Sequence, residues 1–134
     1  MSPTDANKAL ALASIEDGWN TRRLSVFDEI FAADPVDHSL PAWLPRTLEV
    51  RKTLIALYWR AFPDLRLTIE DQIAEDDKVV TRWTAPGTNR GELMGVPSAN
   101  RSAAVTGISI DRFRAGKLVE SWSQTDHPKM RPPR

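Results

Sequence analysis

The chain has 134 residues, the length of a single domain, and lysine plus arginine balance aspartate plus glutamate at 18 each. A formal net charge of zero gives no electrostatic footprint for nucleic acid or for an anionic lipid surface. The absence of cysteine excludes disulfide bonds and thiol catalysis, and the two histidines, His38 and His127, are too few for an ordinary zinc site.

We find no N-terminal targeting signal and no membrane-spanning run in the sequence. The N-terminal residues lack a basic and apolar signal segment, and no apolar run approaches the roughly 18 residues of a membrane span. We therefore expect a cytoplasmic protein that binds no nucleic acid and no membrane.

The first half of the sequence has the pattern of three helices. Ser2 and Pro3 form a helix entrance before an apolar stripe that runs to Trp19. A second helix is predicted over residues 23–32 and a third over residues 48–62, each ended by a proline. Between them, residues 36–40 are expected to be extended.

That extended segment leads into a loop with a single aromatic residue at its centre. Pro41 and Pro45 bracket Trp43, and neither proline suits the interior of a helix or a central strand. The sequence therefore predicts a turn region between residue 40 and the third helix.

The second half has the alternation of β-strands. Strands are predicted over residues 66–75 and 78–85, joined by the turn at Asp76-Asp77. A final hairpin is predicted from strands 103–114 and 117–126, with its turn at Ala115-Gly116. Helices followed by strands indicate one α+β domain over residues 1–126, in which the N-terminal helices pack inside a curved antiparallel sheet around an apolar pocket. The tail, residues 127–134, is predicted to be poorly ordered.

Several short motifs from residue 61 onward resemble one known family. They are Ala-Phe-Pro-Asp-Leu at residues 61–65, Ala-Glu-Asp-Asp-Lys-Val-Val at residues 74–80, and the hairpin from Gly107 to Asp126. Their order and spacing resemble the SnoaL-like polyketide cyclases, which belong to the NTF2-like superfamily of cone-shaped α+β proteins. The resemblance covers about four-fifths of the chain, roughly residues 15–126.

The resemblance implies an activity and a catalytic residue. Members of this family close the last ring of aromatic polyketides by intramolecular aldol condensation, without a metal or an organic cofactor. An aspartate of the last strand is their acid/base group, and Asp126 occupies that position here. The fold implies dimers or tetramers that assemble through the outer face of the sheet. One family position that is often histidine is Asn89 in this chain, and another that is often histidine or aspartate is Ser109.

The predicted register of the final hairpin places Asp126 in an apolar environment. If Arg114 pairs with Lys117 across the turn, Ser109 faces Trp122 and Val105 faces Asp126. Burial would then raise the pKa of Asp126 towards values useful for proton transfer next to a carbonyl. The alternative is an exposed carboxylate at the end of a strand.

The other candidate residues each have a structural alternative. His38 could polarise a substrate carbonyl or be a hydrogen-bonded structural histidine, and Asn89 could donate to an enolate or only shape its loop. Trp122 could form the pocket wall or belong to the core. The remaining candidates for substrate binding, each more often a core or surface residue, are Ser109, Trp59, Trp83 and Arg112.

Two other functions remain open at this point. A limonene-type epoxide hydrolase would need an Asp-Arg-Asp arrangement, for which Asp111, Arg112 and Asp126 are the candidates. Asp111 and Arg112 are neighbours on a strand, so their side chains should point to opposite faces, which argues against this function. The other alternative is a small-molecule-binding or dimerisation module without catalysis. The sequence favours a small apolar or aromatic carbonyl compound as the ligand and does not name it.

Overall fold

A computed structural model describes residues 2–93, 97–98 and 100–126. The prediction for the tail at residues 127–134, which contains His127, lies outside the described residues.

The N-terminal helices follow the signals in the sequence. α1, Pro3–Ala13, begins after Ser2, whose hydroxyl accepts a hydrogen bond from the amide of Asp5 at 3.1 Å. The chain continues without a break into a π-helix, Ser14–Asn20. Gly18 in this segment lies against the ring of Phe27, where an added Cβ atom would stand 2.7 Å from Cζ. Only glycine therefore allows this close approach.

Two further helices follow the π-helix and contact each other. α2, Leu24–Ile30, buries Val26, Phe27 and Ile30. α3, Leu48–Ala61, begins after Thr47, whose hydroxyl accepts from the amide of Val50 at 3.2 Å. The third helix is thus close to its predicted bounds, whereas the second ends earlier than predicted.

The early end of α2 results from strand pairing. β1, Phe31–Asp37, includes two residues that the sequence assigned to the helix. Phe31 is buried opposite Leu118 on another strand, and this long-range contact outweighs the local helical pattern.

Within the described residues the strands form one mixed sheet. The other four strands are β2, Thr68–Glu75, β3, Lys78–Thr88, β4, Ser102–Arg114, and β5, Lys117–Thr125. Their order is β1-β5-β4-β3-β2, and all neighbours are antiparallel except β1 and β5, which are parallel. The predicted α+β class is therefore confirmed. The prediction of a purely antiparallel sheet is wrong at one edge, where β1 pairs with β5 in parallel.

A β-bulge in β5 determines which side chains face which way. Arg114 pairs with Lys117 as predicted, and Phe113 pairs with Leu118, but Arg112 pairs with Glu120. Val119 is left without an opposite residue, so every later pair is shifted by one position relative to the predicted register.

The sheet has an inner face, which packs against the helices, and an outer face. Val79, Phe113 and Leu118 point inward and form the core with Phe27 and Ile55. Burial of each of these side chains contributes roughly 1.5–3 kcal/mol to the free energy of folding.

Candidate active site

Three polar residues form a row across neighbouring strands on the inner face. Asp37 of β1 and Asp111 of β4 are both Cα partners of Ser121 on β5. Neighbouring strands lie about 4.8 Å apart, so the two aspartates flank Ser121 at about that spacing on either side. We call Asp37, Ser121 and Asp111 the inner row.

Arg51 of α3 lies over the inner row. Its Nη1 atom is 3.6 Å from Oδ2 of Asp37 and donates to the hydroxyl of Ser121 at 3.3 Å. The guanidinium carbon also lies 4.7 Å from the centre of the Phe31 ring. The side chains of Arg51 and Asp37 are only 17% and 12% exposed, so water screens this cation weakly.

Asp111 has the electrostatic character of an acid/base group. Its pKa is raised to about 7, mainly by burial; the charge of Arg51 lowers the pKa, and the charge of Asp37 raises it. Burial lowers the pKa of Arg51, while Asp37 and Asp111 raise it. A carboxyl group with a pKa near neutrality can accept a proton and return it at physiological pH.

A pocket of about 140 Å³ reaches the edge of the inner row. Asp37 and Arg51 line it, together with His38 and residues of the loop that precedes α3. Asp111 lies one strand beyond Asp37 and Ser121, so the pocket and the carboxyl group with the raised pKa are separated by the width of β5.

A second polar group on the inner face consists of Trp83, Ser109 and Ser123. The indole of Trp83 donates to the hydroxyl of Ser109 at 3.1 Å, and this hydroxyl lies 3.2 Å from that of Ser123. The indole of Trp83 lies over Gly107 of β4, where an added Cβ atom would stand 2.2 Å from Cζ2 of Trp83. Two predicted substrate-binding residues, Trp83 and Ser109, are therefore in contact.

His38 and Trp122 lie together on the outer face. Their rings are stacked with centroids 5.0 Å apart and an angle of 8° between the planes. Because the bulge places Trp122 opposite Ile110 instead of Ser109, the predicted pairing is wrong and the indole faces away from the helices. The substrate-binding role of Trp122 stays a prediction.

Glu120 connects this pair to Arg112. One carboxylate oxygen lies 2.7 Å from Nε2 of His38 and the other 2.9 Å from Nη1 of Arg112. We call His38, Trp122, Glu120 and Arg112 the outer cluster. The expectation that Asp111 and Arg112 point to opposite faces is confirmed, because Asp111 belongs to the inner row.

Asp126 lies at the far end of the hairpin and is exposed. Its amide donates to the carbonyl of Thr106 at 3.0 Å, and its carboxylate accepts from the amide of Thr106 at 2.6 Å. The expected burial of Asp126 opposite Val105 is therefore wrong. Its catalytic role, which the family resemblance implies, stays a prediction.

Asn89 follows the distant end of β3 and contacts the end of α3. Its side-chain amide donates to the carbonyls of Gly91 at 3.1 Å and Ala61 at 3.5 Å. These bonds fix the loop to α3, roughly 30 Å along the strand from the residue that pairs with Asp111. The structural alternative accounts for these contacts, and the oxyanion role stays a prediction.

Trp59 is a helix residue in an aromatic group. Its ring makes an edge contact with Trp19 at 6.2 Å, and the guanidinium of Arg22 lies 5.9 Å from its centre. The indole nitrogen is buried without a hydrogen-bond partner in the structure. This placement agrees with a residue packed against the core.

The outer face carries apolar side chains in one line across the strands. Ile73, Val80, Ile110 and Trp122 are successive partners on β2, β3, β4 and β5. Ile73 is 66% exposed. Assembly of two or four copies through this face stays a prediction.

The sequence interpretation did not identify Arg51 and Asp37 as site residues, and it placed Asp111 only with Arg112. The alternation of Ser109, Asp111 and Phe113 could have shown that Asp111 shares a face with a core residue. No local sequence pattern indicates that Arg51, on a helix 60 residues earlier in the chain, lies near Asp111.

The described residues contain no group of three or more histidine and acidic side chains arranged to hold a metal ion. In the same part of the chain, no helix is long and apolar enough to cross a membrane.

Comparison with known proteins identifies related sequences and folds. The family model described as SnoaL-like polyketide cyclase matches residues 9–131. No curated protein sequence matches the chain significantly.

Solved structures with the same fold cover nearly the whole chain. A candidate SnoaL-like polyketide cyclase from Jannaschia sp. CCS1 superimposes with a TM-score of 0.83 at 24% identity, covering 94% of this chain and 90% of that one. IdmH from Streptomyces antibioticus, described as a candidate polyketide cyclase, has 30% identity and a TM-score of 0.74, covering 94% and 93%. AclR from Streptomyces galilaeus, described as a candidate hydroxylase, has 29% identity and a TM-score of 0.78, covering 93% and 78%.

Proposed function

Because the chain belongs to the SnoaL-like polyketide cyclase family, we propose that it catalyses an intramolecular aldol condensation of a polyketide-like substrate without a cofactor. We assign the acid/base role to Asp111. The observation that carries this assignment is the position of Asp111, on the inner face beside Arg51, with a pKa raised by burial to about 7.

The proposed reaction begins with proton abstraction. The reactive end of the substrate must extend from the pocket past Arg51 to Asp111. The Asp111 carboxylate then removes a proton from the carbon next to a substrate carbonyl, and the electron pair of that C–H bond forms the enolate. The enolate carbon attacks a second carbonyl of the same molecule and forms the new C–C bond. The resulting alkoxide takes the proton back from Asp111, so the product has the mass of the substrate.

Arg51 stabilises the charge that develops on the substrate oxygen. Its guanidinium lines the pocket and contacts the inner row, which places a fixed cation between the entrance and Asp111. A preorganised donor in a poorly hydrated site favours the enolate over the neutral carbonyl.

The test compares two aspartate substitutions that differ in position. Asp111→Asn and Asp126→Asn each replace one carboxylate by an amide of equal size, on the inner face and at the exposed strand end. The substrate is an anthraquinone-type polyketide methyl ester, and ring closure is followed as a chromatographic shift without a change in mass. We expect Asp111→Asn to lower kcat about 10²–10⁴-fold and Asp126→Asn to leave it within about threefold.

The reverse result, with turnover lost in Asp126→Asn and retained in Asp111→Asn, would overturn the assignment and favour the aspartate of the last strand. Binding of the ester by the wild-type protein without ring closure would instead favour a binding module.

A second candidate function is hydrolysis of an epoxide. On the inner face, Arg51 forms an ion pair with Asp37 and acts electrostatically on Asp111, although these three residues are not the set expected from the sequence. In that reaction Asp111 would take a proton from water while the water oxygen bonds to an epoxide carbon and the C–O bond of that carbon breaks. The resulting alkoxide would take the proton back from Asp111, which gives a diol. Incorporation of oxygen-18 from labelled water into a diol, abolished by Asp111→Asn, would support this function over the aldol reaction.

A further inference from the structure

We propose that Trp43 is a substrate-binding residue that stacks on the part of a flat aromatic substrate that extends beyond the pocket. This inference rests on the proposed function, because it takes a polycyclic aromatic carbonyl compound as the substrate. Trp43 is not required for the proton transfer itself.

The first observation is the position of Trp43 beside the pocket, between two residues that line it. The residues that line the pocket from the loop before α3 are Leu40, Pro41, Ala42, Leu44, Pro45, Arg46 and Thr47. Trp43 is the one residue between positions 40 and 47 that does not line it. Its neighbours on both sides do, so its side chain begins at the rim of the pocket.

The second observation is the exposure of the indole. The Trp43 residue is 80% exposed, whereas the other four tryptophans of the chain are partly buried. A large apolar side chain in contact with water gains free energy when a ligand covers it.

The third observation is the turn that presents Trp43. The amide of Leu44 donates to the carbonyl of Pro41 at 3.1 Å, which places Ala42 and Trp43 at the tip of a β-turn. Pro41 and Pro45 restrict the backbone on either side of it. The turn therefore fixes the backbone position from which the indole of Trp43 extends.

The fourth observation is the size of the pocket. Its volume of about 140 Å³ is less than half of the roughly 300 Å³ at the lower end for sites that enclose drug-sized ligands. A single ring fits such a volume, whereas a substrate with three fused rings must extend past the rim. With its oxygen-bearing end at Arg51, the outer rings would lie beside the turn that carries Trp43.

The test separates the part of the ligand inside the pocket from the part outside it. Two probes share a carboxylate and differ in the number of rings, namely benzoate and 9,10-anthraquinone-2-carboxylate. Binding is measured by isothermal titration calorimetry with the wild-type protein, Trp43→Ala and Trp43→Phe. Ile108→Ala, which shortens an exposed apolar side chain on the outer face, is the matched control.

We expect Trp43→Ala to raise the Kd of the three-ring probe about tenfold and to change that of benzoate less than twofold. Trp43→Phe keeps an aromatic surface, so it should stay within about threefold of the wild type. Ile108→Ala should bind both probes as the wild type does.

Equal weakening of both probes, unchanged binding of the three-ring probe by Trp43→Ala, or no binding of that probe by the wild type would each overturn the inference. The result does not depend on turnover. Loss of the stacking effect can therefore be distinguished from loss of the proposed cyclase activity, which the Asp111→Asn assay reports.

Discussion

The inner row and the outer cluster contain similar side chains in different surroundings. Each combines an acid, an arginine and an aromatic ring on neighbouring elements. In the outer cluster, Glu120 has a separate partner for each of its oxygens, His38 and Arg112. On the inner face, the single cation Arg51 interacts electrostatically with both Asp37 and Asp111, and burial raises the pKa of Asp111.

This difference separates a structural ion pair from a group that can transfer protons. The carboxylate of Glu120 is fixed in position because each of its oxygens has a close side-chain partner. A buried carboxyl group that shares one arginine with another acid changes its protonation near neutral pH. The inner face is therefore the better location for acid/base chemistry. The outer cluster nevertheless contains His38 and Trp122, two of the site residues predicted from the sequence.

The largest effect on stability should follow the loss of the shared cation. Arg51→Ala leaves Asp37 and Asp111 without their common partner in a poorly hydrated place, and breaking a buried ion pair costs about 3 kcal/mol or more. Urea unfolding at pH 8, where Asp111 is largely ionised, measures this loss.

Arg112→Ala is the matched control for that substitution, since it removes an arginine from the outer cluster. Its ion pairs are more exposed, and we expect a loss of about 1 kcal/mol or less. Equal losses for the two variants would contradict the distinction between the two faces.

The next effect concerns the pH dependence of stability. The pKa of Asp111 is about 7 in the folded chain and near its ordinary value of 3.8 when unfolded, so between these values the folded state holds a proton that the unfolded state has lost. This contribution to stability is present below about pH 4 and decreases as the pH rises to about 7. Asp111→Asn should therefore gain roughly 2–4 kcal/mol relative to the wild type between pH 4 and pH 8.

Urea unfolding of both proteins across this pH range provides the measurement. Ser109→Ala, which alters the same strand and face without removing an ionisable group, is the control, and its difference from the wild type should be constant. A constant difference for Asp111→Asn would show that Asp111 does not titrate as proposed.

Local patterns were sufficient to predict much of the fold. Caps, prolines and apolar periodicity located the third helix within about one residue, and alternation located the strands of the final hairpin. The start of β1 was missed because Phe31 leaves its helical pattern to pair with a strand that is distant in sequence. Such pairing depends on the whole sheet and leaves no signature in the segment itself.

The candidate site was harder to predict for a related reason. One extra residue, Val119, reverses the faces of Ser109 and Trp122 relative to each other, and nothing in the hairpin sequence marks the bulge. The role of Arg51 depends on the packing of α3 against β1 and β5. The acidic residues could therefore be located in the sequence, but which of them are buried depends on the tertiary structure.

The smallest effect on stability is expected for a substitution in the outer cluster. Glu120→Gln removes the charge that His38 and Arg112 share, but the Glu120 side chain is 22% exposed and that of His38 is 42% exposed, so solvent screens both interactions. We expect a loss of at most about 1 kcal/mol in urea unfolding, further reduced by added salt, and unchanged ring-closing turnover. A fall in turnover comparable to that of Asp111→Asn would mean that the outer cluster takes part in the reaction, and the comparison between the two faces would then have to be reversed.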